Sequence, residues 1–93
     1  MNDDKILTLH PAGKNGVNIA RQKYEVIKDF ILTMLEKEGA VTYEYINDEA
    51  IRQLSPTFDG KVGWYVVTVK LDLEARGIIE RVPKTSPHQV RLV

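Results

Sequence analysis

The 93-residue chain contains no cysteine and no long apolar segment. Without cysteine it can form no disulfide framework, no thiolate zinc site and no thiol nucleophile, and this composition fits a reducing compartment. No apolar run approaches the roughly 18 residues of a membrane span, and residues 1–5 are acidic where a signal peptide would be basic. We therefore expect a cytoplasmic protein without a membrane segment or an export signal.

The chain also lacks an excess of either charge, with 13 basic and 13 acidic residues. Because DNA binding depends on lysine and arginine neutralising phosphates, this balance argues against nucleic acid as a partner. The distribution is uneven, however. Residues 1–60 hold seven lysines and arginines against ten acids, whereas residues 61–93 hold six against three, so the C-terminal third is the basic part.

No group of side chains in the sequence indicates a catalytic or metal site. The two histidines, His10 and His88, are far apart and have no carboxylate or cysteine at ligand spacing. Gly13 and Lys14 lack the other residues of a phosphate-binding loop, and no serine or threonine has a nearby histidine or lysine base together with a third orienting group. We therefore predict a protein that is not an enzyme and that binds no cofactor and no metal.

Size and composition predict a single α+β domain preceded by an arm. A chain of 93 residues that is 43% apolar and 28% charged is typical of one globular domain with one core. Residues 1–16 form the predicted arm, in which Ile6, Leu7 and Leu9 indicate a short edge strand. Residues 17–93 form the predicted domain.

Two helices are predicted in the first half of this domain. From Val17, apolar residues three and four positions apart predict a helix of about 22 residues that ends at Gly39. Thr42 is the expected N-cap of a second helix, because its hydroxyl can accept a hydrogen bond from a free amide of the next turn. Residues 55–56, a serine and a proline, end that helix, since proline disfavours helical geometry in the residue before it.

A third helix and a two-stranded hairpin are predicted for the remainder. Asp59 is the expected N-cap of a helix that runs to Arg76, and Gly77 is its terminator. Residues 78–82 and 89–93 read as two short strands joined by a loop too long for a tight turn.

The third helix is apolar around most of its circumference. At about 100° per residue, it divides into three sides. We expect a buried side with Val62, Val66, Val69 and Leu73, a second buried flank with Trp64, Val67 and Leu71, and a solvent side with Lys61, Tyr65, Thr68, Asp72 and Arg76. The valines also give residues 64–69 a high strand propensity, so a strand there is the alternative.

The junction between this helix and the hairpin resembles that of winged helix-turn-helix domains. Residues 73–79 read LEARGII, similar to the pattern of leucine, glutamate, any residue, arginine or lysine, glycine and two aliphatic residues that joins recognition helix and wing. Residues 41–44 resemble the usual opening of the second helix. The resemblance covers residues 17–93 and implies a three-helix bundle with a β-hairpin wing. With Trp64 and Tyr65 included, the chain also resembles a family of small uncharacterised bacterial proteins.

DNA binding of a transcription-regulator-like kind is what this resemblance implies. Winged helices commonly place the third helix in the major groove and the wing on the backbone, and we expect a dimer because one domain makes few contacts. The implied DNA-binding residues are Lys61, Tyr65, Thr68 and Arg76 of the third helix and Arg81, Lys84 and Arg91 of the wing, to which His88 could add. The alternative is that these are ordinary solvated residues and hairpin-edge charges.

A protein interaction module or homodimer that does not bind DNA is the second hypothesis. Acidic side chains on the second helix and in the turn after it would repel the phosphates of DNA. Trp64 and Tyr65 could anchor a protein partner, although aromatic residues in so small a domain usually complete the core. The candidate partner-binding residues are Glu44, Asp48, Trp64 and Tyr65.

Overall fold

A computed structural model describes residues 4–93 and contains three helices and two small antiparallel sheets. The elements are β1 (Lys5–Leu7), β2 (Asn18–Ala20), α1 (Arg21–Glu38), β3 (Val41–Thr42), α2 (Tyr43–Leu54), α3 (Val62–Ala75), β4 (Ile79–Arg81) and β5 (Gln89–Leu92). β1 pairs with β2, and in the other sheet β5 lies between β3 and β4. The predicted α+β class with three helices is confirmed. The first three residues of the predicted arm lie outside the described residues.

The N-terminal part of the chain forms a hairpin that packs on the helices. Ile6 of β1 lies opposite Ile19 of β2, and the Thr8 amide donates a hydrogen bond of 2.9 Å to the Val17 carbonyl. The short strand predicted in the arm is therefore confirmed. The prediction that the first helix begins at Val17 was wrong, because β2 uses the following residues to pair with β1 and α1 begins at Arg21.

The beginning of α2 is confirmed as predicted. Thr42 has an extended backbone, and its Oγ1 accepts a hydrogen bond of 3.0 Å from the Tyr45 amide. Val41 and Thr42 also form β3, which pairs with β5 and which no periodicity could indicate because it is two residues long. The pairing of β3 with β5 therefore attaches the N-terminal end of α2 to the C-terminal hairpin.

The sequence predicted the C-terminal end of α3 correctly and its N-terminal end wrongly. Gly77 terminates the helix as expected, with φ +75°, and the Ile78 amide donates a hydrogen bond of 3.0 Å to the Leu73 carbonyl. Asp59 was wrongly predicted as the N-cap. Lys61 occupies that position without a side-chain cap, and the Asp59 carboxylate lies 3.8 Å from Lys23 Nζ at the surface.

A single apolar core lies between the helices and the C-terminal sheet, and α3 is its central element, packed against both α1 and α2. Fully buried side chains come from every helix and from β4 and β5: Ile27, Ile31, Ile46, Ala50, Val66, Val69, Leu73, Ile79 and Val90. Among residues 4–93, no helix is both long enough and apolar enough to cross a membrane.

The orientation of α3 differs from the prediction. The flank with Trp64 and Val67 was expected to be buried, but these side chains are 45% and 37% exposed. Asp72, expected on the solvent side, is completely buried. The helix is turned so that its Tyr65 and Asp72 side faces α1, because Asp72 finds hydrogen-bond donors there that make its burial tolerable.

Candidate interaction surface

Asp72 is at the centre of a buried polar cluster that connects α3 to α1 and to the N-terminal hairpin. The Tyr24 hydroxyl of α1 donates a hydrogen bond to Asp72 Oδ2, and the Leu9 amide donates one of 2.8 Å to Oδ1. Arg76 Nε lies 2.9 Å from Oδ2 and forms an ion pair with it. Burial and the adjacent carboxylate raise the pKa of Tyr24 to about 12. The cluster therefore holds α3, α1 and the N-terminal hairpin together, and its buried carboxylate is not accessible as a binding site.

The residues of α3 that were expected to face DNA do not form one exposed set. Arg76 is bound to the buried Asp72, and Tyr65 packs on the core with its ring 5.1 Å from that of Phe58. Thr68 is half-buried. Lys61 is exposed and makes no ion pair within residues 4–93. Among residues 4–93, this side of the helix thus carries one basic side chain, Lys61, without an ion-pair partner.

A second buried ion pair occupies the side of α3 that faces α2. Lys70 Nζ lies 3.1 Å from Glu74 Oε2 and 5.5 Å from the centre of the Tyr43 ring, against which His88 stacks at 5.8 Å. Burial lowers the pKa of His88, and the charges of Lys70 and Arg81 lower it further. His88 therefore does not contribute a positive charge to the hairpin at neutral pH.

The hairpin itself exposes two free basic side chains. Arg81 and Lys84 are exposed and form no ion pair within residues 4–93, and Lys84 adopts a positive φ of 61° in the loop. Arg91, in contrast, forms an ion pair of 2.7 Å with Glu80 across the β4–β5 ladder. Of the predicted wing residues, Arg81 and Lys84 thus have no ion-pair partner within residues 4–93, whereas Arg91 is paired with Glu80.

The solvent side of α3 is apolar. We call Trp64, Val67 and Leu71 the α3 ridge, because they follow one another along one side of the helix, where Trp64 and Val67 are exposed and Leu71 is half-buried. Beside it, Trp64 and Leu71 line a hollow of about 160 Å³ together with Leu9 and Val17 of the N-terminal hairpin, which are themselves exposed. Exposed apolar side chains that adjoin one another in this way are typical of protein contact sites.

Acidic residues lie along one flank of the α3 ridge. A Cβ on Gly63 would lie 3.7 Å from Ile51 of α2, so this side of α2 adjoins the first turn of α3. Glu44 and Asp48 share that side of α2, seven and three residues before Ile51. Both carboxylates are exposed and have no ion-pair partner within residues 4–93.

One basic residue lies on the opposite flank, and a second lies at the far end of the ridge. Lys61 is at the beginning of α3, seven residues before Thr68, and therefore on the helix side that carries the hollow beside the arm. Lys14 lines a neighbouring hollow with Glu74 and Ala75, at the other end of α3. Like Lys61, Lys14 is exposed and unpaired within residues 4–93. The ridge is thus bordered by Glu44 and Asp48 on one side and by Lys61 on the other, while Lys14 lies at the C-terminal end of α3.

The candidate partner-binding residues from the sequence lie close together but differ in exposure. Trp64, Glu44 and Asp48 border one surface. The half-buried Tyr65 contacts Trp64 edge-on, with 4.9 Å between the ring centroids, and also packs against Phe58 and Lys23. The sequence placed Val67 and Leu71 on a buried flank, whereas Val67 is exposed and Leu71 is half-buried. Among residues 4–93, no group of three or more histidine, aspartate or glutamate side chains is arranged to hold a metal ion.

These features define a small α+β domain whose central helix exposes an apolar side. The chain belongs to DUF6958, a family of unknown function whose model matches residues 5–90. The match includes the N-terminal hairpin as well as the three helices. No curated protein and no solved structure matches the chain.

Proposed function

We propose that the protein is a winged-helix domain that binds protein, not DNA, through the α3 ridge. The order of elements supports the fold assignment: three helices are followed by a hairpin, and a short strand before α2 pairs with the second hairpin strand. The junction at Gly77, which resembles that of winged helices, supports it as well. A fold does not determine function, so the function must be argued from the surface.

The observation that carries the proposal is the apolar character of the α3 solvent side. A helix that reads base edges needs polar and basic side chains on that side. Here the side carries Trp64, Val67 and Leu71, while Lys70 and Arg76 are held by acidic partners of the same helix. Aromatic residues surrounded by smaller apolar ones are typical of the centre of protein interfaces.

Affinity capture with matched variants tests the proposal. The tagged wild-type chain, Val67→Asp and Val26→Asp are each incubated with lysate of the source cells. Val26 is the control, because it is an exposed valine of α1 away from the ridge. We expect a bound protein that is recovered with the wild type and with Val26→Asp but is lost with Val67→Asp. Equal recovery with all three variants would exclude the ridge as the binding surface.

DNA binding through the hairpin is the second candidate, and the free cations Arg81 and Lys84 favour it. Fluorescence anisotropy with random duplex DNA at about 50 and 200 mM salt tests it, since affinity that depends on phosphate contacts falls steeply over this range. This candidate requires binding at the lower salt that Arg81→Ala and Lys84→Ala weaken and that Val67→Asp leaves unchanged. Binding that Lys61→Ala and Arg76→Ala abolish would instead support docking of α3 in the groove.

A further inference from the structure

We propose that the partner of the α3 ridge is a second copy of this chain, with the two α3 helices side by side and pointing in the same direction. This inference rests on the proposed function and names its partner. It requires a surface that is complementary to itself, since in a two-fold dimer the same patch serves both copies. The ridge and its two charged flanks form such a surface.

The order of the charges along α3 determines the arrangement. α2 runs past α3 in the opposite direction, because Ile51 adjoins Gly63 at the beginning of α3 and Tyr43 adjoins Lys70 near its end. The acidic flank therefore has Asp48 toward the beginning of α3 and Glu44 toward its end. The basic flank has Lys61 at the beginning of α3, and Lys14, beside Glu74 and Ala75, lies across the end of the helix.

A two-fold axis parallel to α3 brings the acidic flank of each copy to the basic flank of the other at the same height. Lys61 then faces Asp48 of the second copy. An antiparallel pairing would bring acidic flank to acidic flank and basic to basic, and like charges across an interface are unfavourable. The parallel arrangement is the one that pairs Lys61 with Asp48.

The apolar part of the contact comes from the ridge and from the hollow beside it. Trp64, Val67 and Leu71 of the two copies pack on each other along the axis. Leu9 and Val17, which border the hollow, extend the apolar surface toward the second copy. Burial of these exposed side chains provides the favourable free energy, while the charges at the flanks fix the direction of the pairing.

Sedimentation equilibrium of the full chain from about 1 to 200 µM tests the proposal, because association depends on concentration. We expect a reversible dimer for the wild type and for the control Val26→Asp. Val67→Asp should weaken association by about 100-fold or more, since it buries a carboxylate at the centre of the contact. Trp64 is the only tryptophan of the chain, so its fluorescence should shift to the red as the dimer is diluted.

Charge reversal tests the direction of the pairing. Asp48→Lys and Lys61→Glu should each weaken the dimer by about tenfold, because each reversal acts twice in a two-fold dimer. The double variant should restore wild-type association. Thermal unfolding of each variant checks that the fold is kept.

Three results would overturn the proposal. A wild type that stays monomeric throughout the range would exclude the second copy, yet the proposed function would stand if the capture assay still showed a ridge-dependent partner. A dimer that Val67→Asp leaves intact would place the contact elsewhere. A double charge variant that remains as weak as the single variants would exclude the parallel arrangement.

Discussion

The Tyr24 hydroxyl donates a hydrogen bond to the Asp72 carboxylate inside the core, where both side chains are almost inaccessible to solvent. These residues lie 48 positions apart, on α1 and α3. The contact orients α3, because it brings the Asp72 side of the helix to the interior. The same orientation of α3 leaves Trp64 and Val67 exposed.

Removal of the Asp72 carboxylate should be strongly destabilising. In Asp72→Ala the Tyr24 hydroxyl, the Leu9 amide and Arg76 lose their common acceptor, and we expect a loss of about 3 to 5 kcal/mol in the free energy of unfolding. Tyr24→Phe, which removes one donor, should cost about 1 to 2 kcal/mol. Urea denaturation measures both. Asp48→Ala is the control and should stay within about 0.5 kcal/mol of the wild type.

High pH should destabilise the protein through Tyr24. Its pKa of about 12 in the folded chain lies above the ordinary value of 10.0, so the unfolded state loses the proton first. The stabilisation is complete below pH 10 and decreases as the pH rises toward 12, by roughly 2 kcal/mol at pH 12. Denaturation curves between pH 9 and 12 should show this slope in the wild type, and Tyr24→Phe should reduce it. An unchanged slope would assign the effect to other groups.

Acidic pH should destabilise the protein through His88. Because its pKa is lowered in the folded state, the unfolded chain binds the proton more tightly. Stability should be complete above the ordinary histidine range and should fall as the pH decreases through it toward the folded pKa. His88→Gln should flatten the dependence of unfolding on pH between about 7 and 5. His10→Gln is the matched control, because it leaves the contact with Tyr43 intact, and it should not flatten the curve.

Gly16 should be required for the N-terminal hairpin. A Cβ at this position would lie 1.7 Å from the Thr8 carbonyl oxygen, so an alanine must separate the two strands. We expect Gly16→Ala to destabilise the chain by more than about 2 kcal/mol. At Gly13 a Cβ would meet open space, and the positive φ alone should cost Gly13→Ala about 1 kcal/mol. Thermal unfolding of the two variants measures the difference, and equal losses would contradict the close approach.

Local signals in the sequence predicted the ends of elements better than their orientation. Thr42 and Gly77 act on the backbone within a few residues, so their roles were readable directly. The rotation of α3 was not, because valine, tryptophan and leucine lie around most of the helix and its periodicity does not select one side. The burial of Asp72 depends on Tyr24 and on Leu9, which is 63 positions away, and no local pattern indicates such contacts. The burial of Asp72 and the exposure of Trp64 and Val67 were therefore both missed.

The hydrogen bond from the Leu9 amide to Asp72 also bears on where this chain can be shortened. A form that begins at Val17, where the resemblance to winged helices begins, would lack one of the donors to a fully buried carboxylate, as well as Ile6, which packs on the core. We expect such a truncated form to be less stable and to expose the inner surface of α1. The smallest autonomous folding unit should therefore start before Leu9, and tags or fusion partners are best attached ahead of the N-terminal hairpin.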